Sequence, residues 1–274
     1  MKTFDENTAM DNDKAKANRF LFALAFVFSC LTMNSNYLPG YYAQKSTFLV
    51  ILRFVLIFVF MFAITLLNRK DSIFISKFVP ITTLIITALL IFDRRVTQIS
   101  GNQFLYGALW IAYIATANIT VLLALAVSKA SDYEKILRNT WMGLTLLYFY
   151  TLKICFLRKP GTSLSINLKL FNGTFPLLKH IINHPGTDFE YYMIFFGNIV
   201  IFFPLAFIVY AIFNNIKSYQ LMLIGLAAPF LVEGYQYIFK CGNVDIDDVI
   251  LNWTGFFIGF IILQIIKKRL LENE

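Results

Sequence analysis

Residues 231–259 read Leu-Val-Glu-Gly-Tyr-Gln-Tyr-Ile-Phe-Lys-Cys-Gly-Asn-Val-Asp-Ile-Asp-Asp-Val-Ile-Leu-Asn-Trp-Thr-Gly-Phe-Phe-Ile-Gly. One apolar stretch closes on Glu233 and Gln236, and a short acidic loop follows with Asp245, Asp247 and Asp248. Asn252, Gly255 and Gly259 then line the next apolar stretch. On a helix, Glu233 and Gln236 share a face at i, i+3. Asp248, Asn252, Gly255 and Gly259 likewise fall on one face. Carboxylates and amides within apolar stretches are costly unless they meet protein or water, so such a run marks a candidate site. Its chemistry suits divalent-cation binding at the acidic loop, capture of a cationic ligand group, or acid–base work with Glu233 or an Asp as general base. Structural roles compete with each of these. Glu233 or Gln236 can hydrogen-bond to Asn252 or Asn198, and an Asp at a helix start caps orphan backbone donors. Capping accounts for one Asp but not for three.

The elements that must position these groups are membrane spans. Hydrophobic residues make up 58% of the 274-residue chain and charged residues 15%, with a mean hydropathy of +0.65. A soluble domain could not bury that much apolar surface, and the continuous apolar runs do not alternate as barrel strands do. The fold class is all-α, a polytopic transmembrane helical bundle. We read eight spans, at about 19–36, 47–67, 73–92, 103–127, 140–157, 191–213, 219–239 and 248–266. Pro204 and Pro229 each remove a backbone donor and free a carbonyl four residues earlier, so both spans should kink beside Asn198 and Glu233. Gly255-x-x-x-Gly259 allows a close helix approach, expected to bring Asn252 toward Glu233.

Net charge is +8 and the isoelectric point about 9.3. The basic residues sit between apolar stretches, where they set orientation and meet anionic lipid, so nucleic-acid binding is set aside. With the N-terminus inside, thirteen Lys and Arg face the cytoplasm and eight face out. The inside set ends in Lys267-Lys268-Arg269, and the outside set includes Lys45, Arg94, Arg95, Arg158, Lys159 and Lys240. The bias predicts a multi-pass cell-membrane protein with both termini cytoplasmic and the Asp245–Asp248 loop facing outward. Arg53, Lys77 and Lys153 lie within or near span ends and read as snorkelling side chains. Cys30, Cys155 and Cys241 are scattered without metal-ligand spacing. His180 and His184, at i, i+4, lack the further ligands a zinc pair needs and read as interfacial loop residues.

We divide the chain into a polar, disordered cytoplasmic tail (1–18), a four-span extension (19–139), a membrane domain (140–267) and a cytoplasmic tail (268–274). The one long connection, 158–190, carries Pro-Gly at 160–161 and His-Pro-Gly at 184–186, and its stretch 166–182 suits a short interfacial helix.

The membrane domain resembles the VanZ-like family, named for a protein linked to teicoplanin resistance. That family's Glu and Gln three apart, then a basic residue, then Asp-x-x-Asp leading into Asn-x-x-Gly-x-x-x-Gly, fall on Glu233, Gln236, Asp245, Asp248, Asn252, Gly255 and Gly259. Its Asn then Phe-x-Pro-x-Gly resembles Asn198 with Phe202-Phe203-Pro204-Leu205-Ala206, and its Asn-Leu-x-Pro-Phe resembles Asn167-Leu168-Lys169-Leu170-Phe171. The family Arg falls on Gly242, with Lys240 as the substitute from the previous turn. The resemblance implies a cell-envelope role in a Gram-positive-type bacterium, tied to tolerance of teicoplanin-type lipoglycopeptides. It supplies no reaction and no cofactor. The expected partners are membrane lipids and a lipid-linked cell-wall precursor or lipoglycopeptide. The alternatives are an intramembrane enzyme acting on a lipid-linked precursor and a small cation- or proton-coupled transporter.

Overall fold

The structure, a computed structural model, describes residues 2–31, 47–92, 102–130, 132–156, 161, 163–184, 189–213 and 215–271. The expected outside residues Lys45, Arg94, Arg95, Arg158 and Lys159, and residues 160, 185 and 186, lie outside the described residues. Elements run in the order α1 (Lys2–Leu31), α2 (Thr47–Leu67), α3 (Ser72–Phe92), α4 (Asn102–Val127), α5 (Tyr133–Phe156), β1 (Ser163–Asn167) and α6 (Thr174–Asn183). Then come α7 (Phe189–Phe202), α8 (Leu205–Ile212), α9 (Ser218–Phe239), β2 (Cys241–Asp245) and α10 (Ile246–Leu271). The chain forms two compact units, Met1–Leu147 and Tyr148–Glu274, so the division falls inside α5.

Four described helical stretches are long and apolar enough to cross a membrane: 72–92, 194–212, 218–239 and 246–269. They match four of the expected spans. The segment read as a disordered tail is helical from Lys2 and continues into the apolar part of α1.

In the first unit, aromatic packing joins α1 to α3. Phe22 meets Phe74 and Phe78 edge-on at 6.2 and 6.3 Å. Arg19 closes the polar end of this contact on Asp71 at 2.6 Å. The helices also carry small polar links, which hold helices together where burial itself drives little association. Thr83 Oγ1 donates to Asn118 Oδ1 at 3.0 Å between α3 and α4. Asn139 Nδ2 donates to the Ser76 carbonyl at 3.1 Å between α5 and α3. Gly143 lies against Pro80, where a Cβ would come within 2.6 Å of the proline backbone.

The second unit departs from the all-α expectation. β1 and β2 pair in parallel, from Ser163 opposite Cys241 to Asn167 opposite Asp245. A two-stranded sheet has little stability alone, so its side-chain anchors matter. The polar–apolar alternation Ser-Leu-Ser-Ile-Asn at 163–167 is a strand signal, but it lies within the stretch read as a connection with an interfacial helix. The helix in that connection is α6, which begins at Thr174 rather than 166.

Pro204 does more than kink its span. α7 stops at Phe202 and α8 starts at Leu205, with Pro204 itself in helical conformation. Pro229, by contrast, sits inside the continuous α9. The indole of Trp253 donates to the Leu226 carbonyl at 3.0 Å beside it, a side-chain donor in the turn that the proline disturbs.

The glycine pair on α10 packs as expected, against a different helix. A Cβ on Gly255 would overlap the Ile199 carbonyl, and one on Gly259 the Phe203 carbonyl, so α7 is the helix admitted. Gly255→Ala should therefore destabilise the protein by about 2 kcal/mol or more through a backbone shift. Gly197→Ala and Gly234→Ala, where nothing lies within 4 Å of the new methyl, should be neutral or stabilising by up to about 1 kcal/mol. Thermal unfolding in detergent checks the contrast, and equal effects at all three sites would contradict this packing.

Candidate polar site at the α9–β2–α10 junction

The junction is built from local chain geometry. α9 ends at Lys240, whose left-handed backbone (φ 51°, ψ 50°) turns the chain out of the helix. β2 then runs back over the last turns of α9. Gly242 packs against the Gln236 side chain, which would have to shift for a Cβ placed 2.8 Å from its amide. Lys240, the expected substitute, is exposed at the helix cap.

At the end of β2 the chain enters α10, and each carboxylate takes a different partner. The Asp245 backbone N–H donates to Glu233 Oε2 at 3.0 Å, tying strand to helix across twelve residues. Asp245 Oδ1 accepts from the Asp247 N–H at 2.9 Å, and its Oδ2 accepts from Asn167 Nδ2 at 3.1 Å. The second bond follows from the strand register, since Asn167 and Asp245 are opposite one another.

Asp247 is buried, at 3% exposure, and holds the connection from across the sequence. Its Oδ1 accepts from the Phe171 N–H at 2.5 Å. Its Oδ2 accepts from the Gly173 and Thr174 N–H groups, each at 3.0 Å. These are donors at the start of α6, whose own N-cap position, Gly173, supplies no side chain. An Asp from another segment thus does the work of an N-cap, with the helix dipole in its favour. Phe171 is held at φ 61°, a conformation that costs a bulky L-residue about 1–2 kcal/mol and that the bond to Asp247 offsets.

Asp248, one residue on, faces the other way. Its Oδ1 accepts from Asn198 Nδ2 of α7 at 2.6 Å. The glycines further along the same face of α10 let α7 approach closely enough for this bond. Of the structural bonds the sequence allows for Asn198, one to Glu233 or Gln236, neither forms, and Asp248 is its partner instead.

Three of the sequence-predicted residues remain incompletely satisfied. Glu233, Gln236 and Asn252 are 6%, 7% and 0% exposed. Glu233 Oε1, Gln236 Oε1 and both amide atoms of Asn252 are buried without a hydrogen-bond partner. The Gln236 amide nitrogen has only a long bond, 3.4 Å, to the Phe156 carbonyl. A buried polar group without a partner costs about 1–3 kcal/mol. Four such atoms on Glu233, Gln236 and Asn252 add up to a sizeable cost.

Glu233, Gln236, Asp245, Asp248 and Asn198 are thus gathered at one junction. Asn252 stands one turn beyond Asp248 on the same helix face, without a bond to any of them. Pro204 and Pro229 frame the helices, and Gly255 and Gly259 set the approach of α7. The sequence places Asp247 in the acidic loop and Asn167 in the 167–171 motif, but not their bonds to the 171–174 turn and to Asp245. The motif at 167–171 was the available signal, because an Asn ahead of a helix start needs an acceptor or donor partner.

Among the described residues no group of three His, Cys, Asp or Glu side chains is placed to hold a metal ion. Each Asp in the acidic stretch already accepts donors from the protein. His180 and His184 lie with ring centres 4.9 Å apart, and His180 also packs on Tyr191 at 4.2 Å.

Asp247→Ala would orphan three backbone donors and release the strained Phe171. It should cost about 3 kcal/mol and speed hydrogen exchange at the Phe171, Gly173 and Thr174 amides. Unchanged exchange at these amides, read by mass spectrometry, would contradict the clasp.

No curated protein and no solved structure matches the chain. A protein-family model, VanZ/LLP1, matches residues 104–267. The match begins upstream of residue 140, where the resemblance begins in the sequence, and spans every residue of the junction. With well over half of its length covered, and with apolar helices able to cross a membrane, the chain belongs to the VanZ/LLP1 family.

Proposed function

We propose that this VanZ/LLP1 member is a multi-pass membrane protein of the cell envelope. On this reading it crosses the bilayer eight times, with both termini cytoplasmic and the α9–β2–α10 junction facing outward, an orientation supported by the excess of inside Lys and Arg. The junction engages the polar head of an amphiphilic envelope molecule, either a lipid-linked cell-wall precursor or a lipoglycopeptide. It acts by binding, and the consequence is tolerance of teicoplanin-type antibiotics in a Gram-positive-type host. Membrane lipids are its other partners.

The observation that carries this reading is the set of unpartnered buried atoms on Glu233, Gln236 and Asn252. They present acceptors and a donor at the end of apolar helices, where a ligand with a polar head and an apolar tail would bind. Binding is favoured over catalysis because Asp245, Asp247 and Asp248 already serve the fold. The enzyme reading rests on Glu233 Oε1 as a general base toward a lipid-linked substrate, and product formation by purified protein would favour it. The transporter reading and a divalent cation at the acidic loop gain no support from the hydrogen bonding there.

The test is teicoplanin susceptibility of a sensitive host expressing wild type, Glu233→Ala and Asp248→Ala at matched membrane levels. Wild type should raise the inhibitory concentration, and both variants should lose the effect. Protection retained by both variants would remove the site. Absence of protection by wild type would remove the antibiotic link.

A further inference from the structure

The first unit holds a cleft of about 690 Å³ beside the start of α3, independent of the site just described. Its lining is ordered from polar to apolar. At one end stand Arg19, Lys70 and Asp71, with Lys77 a turn and a half further along. Asp71 is taken by Arg19, at 2.6 Å. Among the described residues neither Lys70 nor Lys77 has an ion pair or a hydrogen bond, and both are exposed. Ser72 of the lining donates to Asp132 at 2.8 Å, so three cations stand against two carboxylates and this end of the cleft keeps a net positive charge.

The rest of the lining is a track of Phe74, Phe78, Ile81 and Ile85, at spacings that keep it on one face of α3. Eleven residues of helix span roughly 16 Å. One leaflet of bilayer hydrocarbon is about 15 Å deep. Ile81 and Ile85 are each 56% exposed, and Phe74 and Phe78 are half-buried against Phe22, so the track is open at its deep end and walled by α1 near the basic end. A basic group at the headgroup level above an apolar track one leaflet deep has the charge and dimensions of an anionic lipid.

We propose that this cleft binds a single anionic phospholipid, with its phosphate on Lys70 and Lys77 and one acyl chain along Phe74, Phe78, Ile81 and Ile85. Arg19 is held back by Asp71 and shapes the rim. Its guanidinium carbon lies 6.0 Å from the centre of the Phe74 ring, which fixes the wall where the head meets the tail.

The test uses the purified full chain in detergent, titrated separately with phosphatidylglycerol, phosphatidylcholine and glycerol phosphate, with retained adducts counted by native mass spectrometry. One phosphatidylglycerol should be retained in preference to phosphatidylcholine, and glycerol phosphate should give no saturable adduct. The double variant Lys70→Gln, Lys77→Gln should bind phosphatidylglycerol roughly tenfold more weakly or worse. Ile81→Trp, which blocks the track without changing charge, should weaken it too. Lys169→Gln with Lys179→Gln removes the same charge in the other unit and should leave the affinity unchanged. If the first double variant does not fold, Lys77→Gln alone and Ile81→Trp carry the comparison.

Equal retention of the two lipids would overturn the proposal. So would a loss in the Lys70/Lys77 variant no larger than in the Lys169/Lys179 control. Saturable binding of glycerol phosphate with no gain from the acyl chains would show an inorganic-type phosphate site and overturn it as well.

Discussion

The second unit depends on one buried carboxylate. Asp247 gathers the Phe171, Gly173 and Thr174 N–H groups, and so joins the start of α10 to a segment more than seventy residues earlier. Hydrogen bonds to a charged acceptor contribute about 1.5–3 kcal/mol each, roughly twice the neutral value. Three of them on one side chain are enough to hold a strained Phe171, to cap α6 and to bring β1 beside β2. With the strands in register, Asn167 meets Asp245, and the Asp245 N–H reaches Glu233. The remaining carboxylate, Asp248, is then aimed at Asn198. Asp245, Asp247 and Asp248 do three different jobs because helix and strand geometry point them in three directions.

A second constraint is the absence of side chains at chosen points. Gly242 admits the Gln236 amide beneath β2, and Gly255 and Gly259 admit the backbone of α7. A larger residue at 242 would displace the Gln236 side chain. Without Gly255 and Gly259, Asn198 could not reach Asp248. The polar junction is therefore as much a product of close backbone approach as of charge, which is why its acidic and glycine positions belong to one motif.

Much of this was legible in the sequence, for a physical reason. Helix faces are fixed by local spacing, so Glu233 with Gln236, and Asp248 with Asn252, Gly255 and Gly259, could be placed without knowing the fold. Long apolar runs likewise located α3, α9 and α10. What local spacing does not encode is pairing across the chain. The parallel pairing of 163–167 with 241–245 needs a crossover of several helices between its strands. An Asp at a helix start is expected to cap its own helix, whereas Asp247 caps α6. Gly255 and Gly259 announced a close neighbour without naming it, and the neighbour is α7. The left-handed Phe171 carries no local signal, since nothing about a phenylalanine favours that conformation.

On the proposed function, Glu233, Gln236 and Asn252 are buried without full partners to meet a ligand rather than to serve the fold. Asn252 states this most sharply, with no exposure and both amide atoms unpaired. The direct measurement is the melting temperature of Asn252→Leu against wild type, in detergent and without added ligand. Replacing an unpaired amide by an apolar group of similar size removes a desolvation cost, so the variant should melt about 2–4 °C higher. A melting temperature lowered by a similar amount would show that Asn252 supports the fold through partners of its own, and would contradict the central claim.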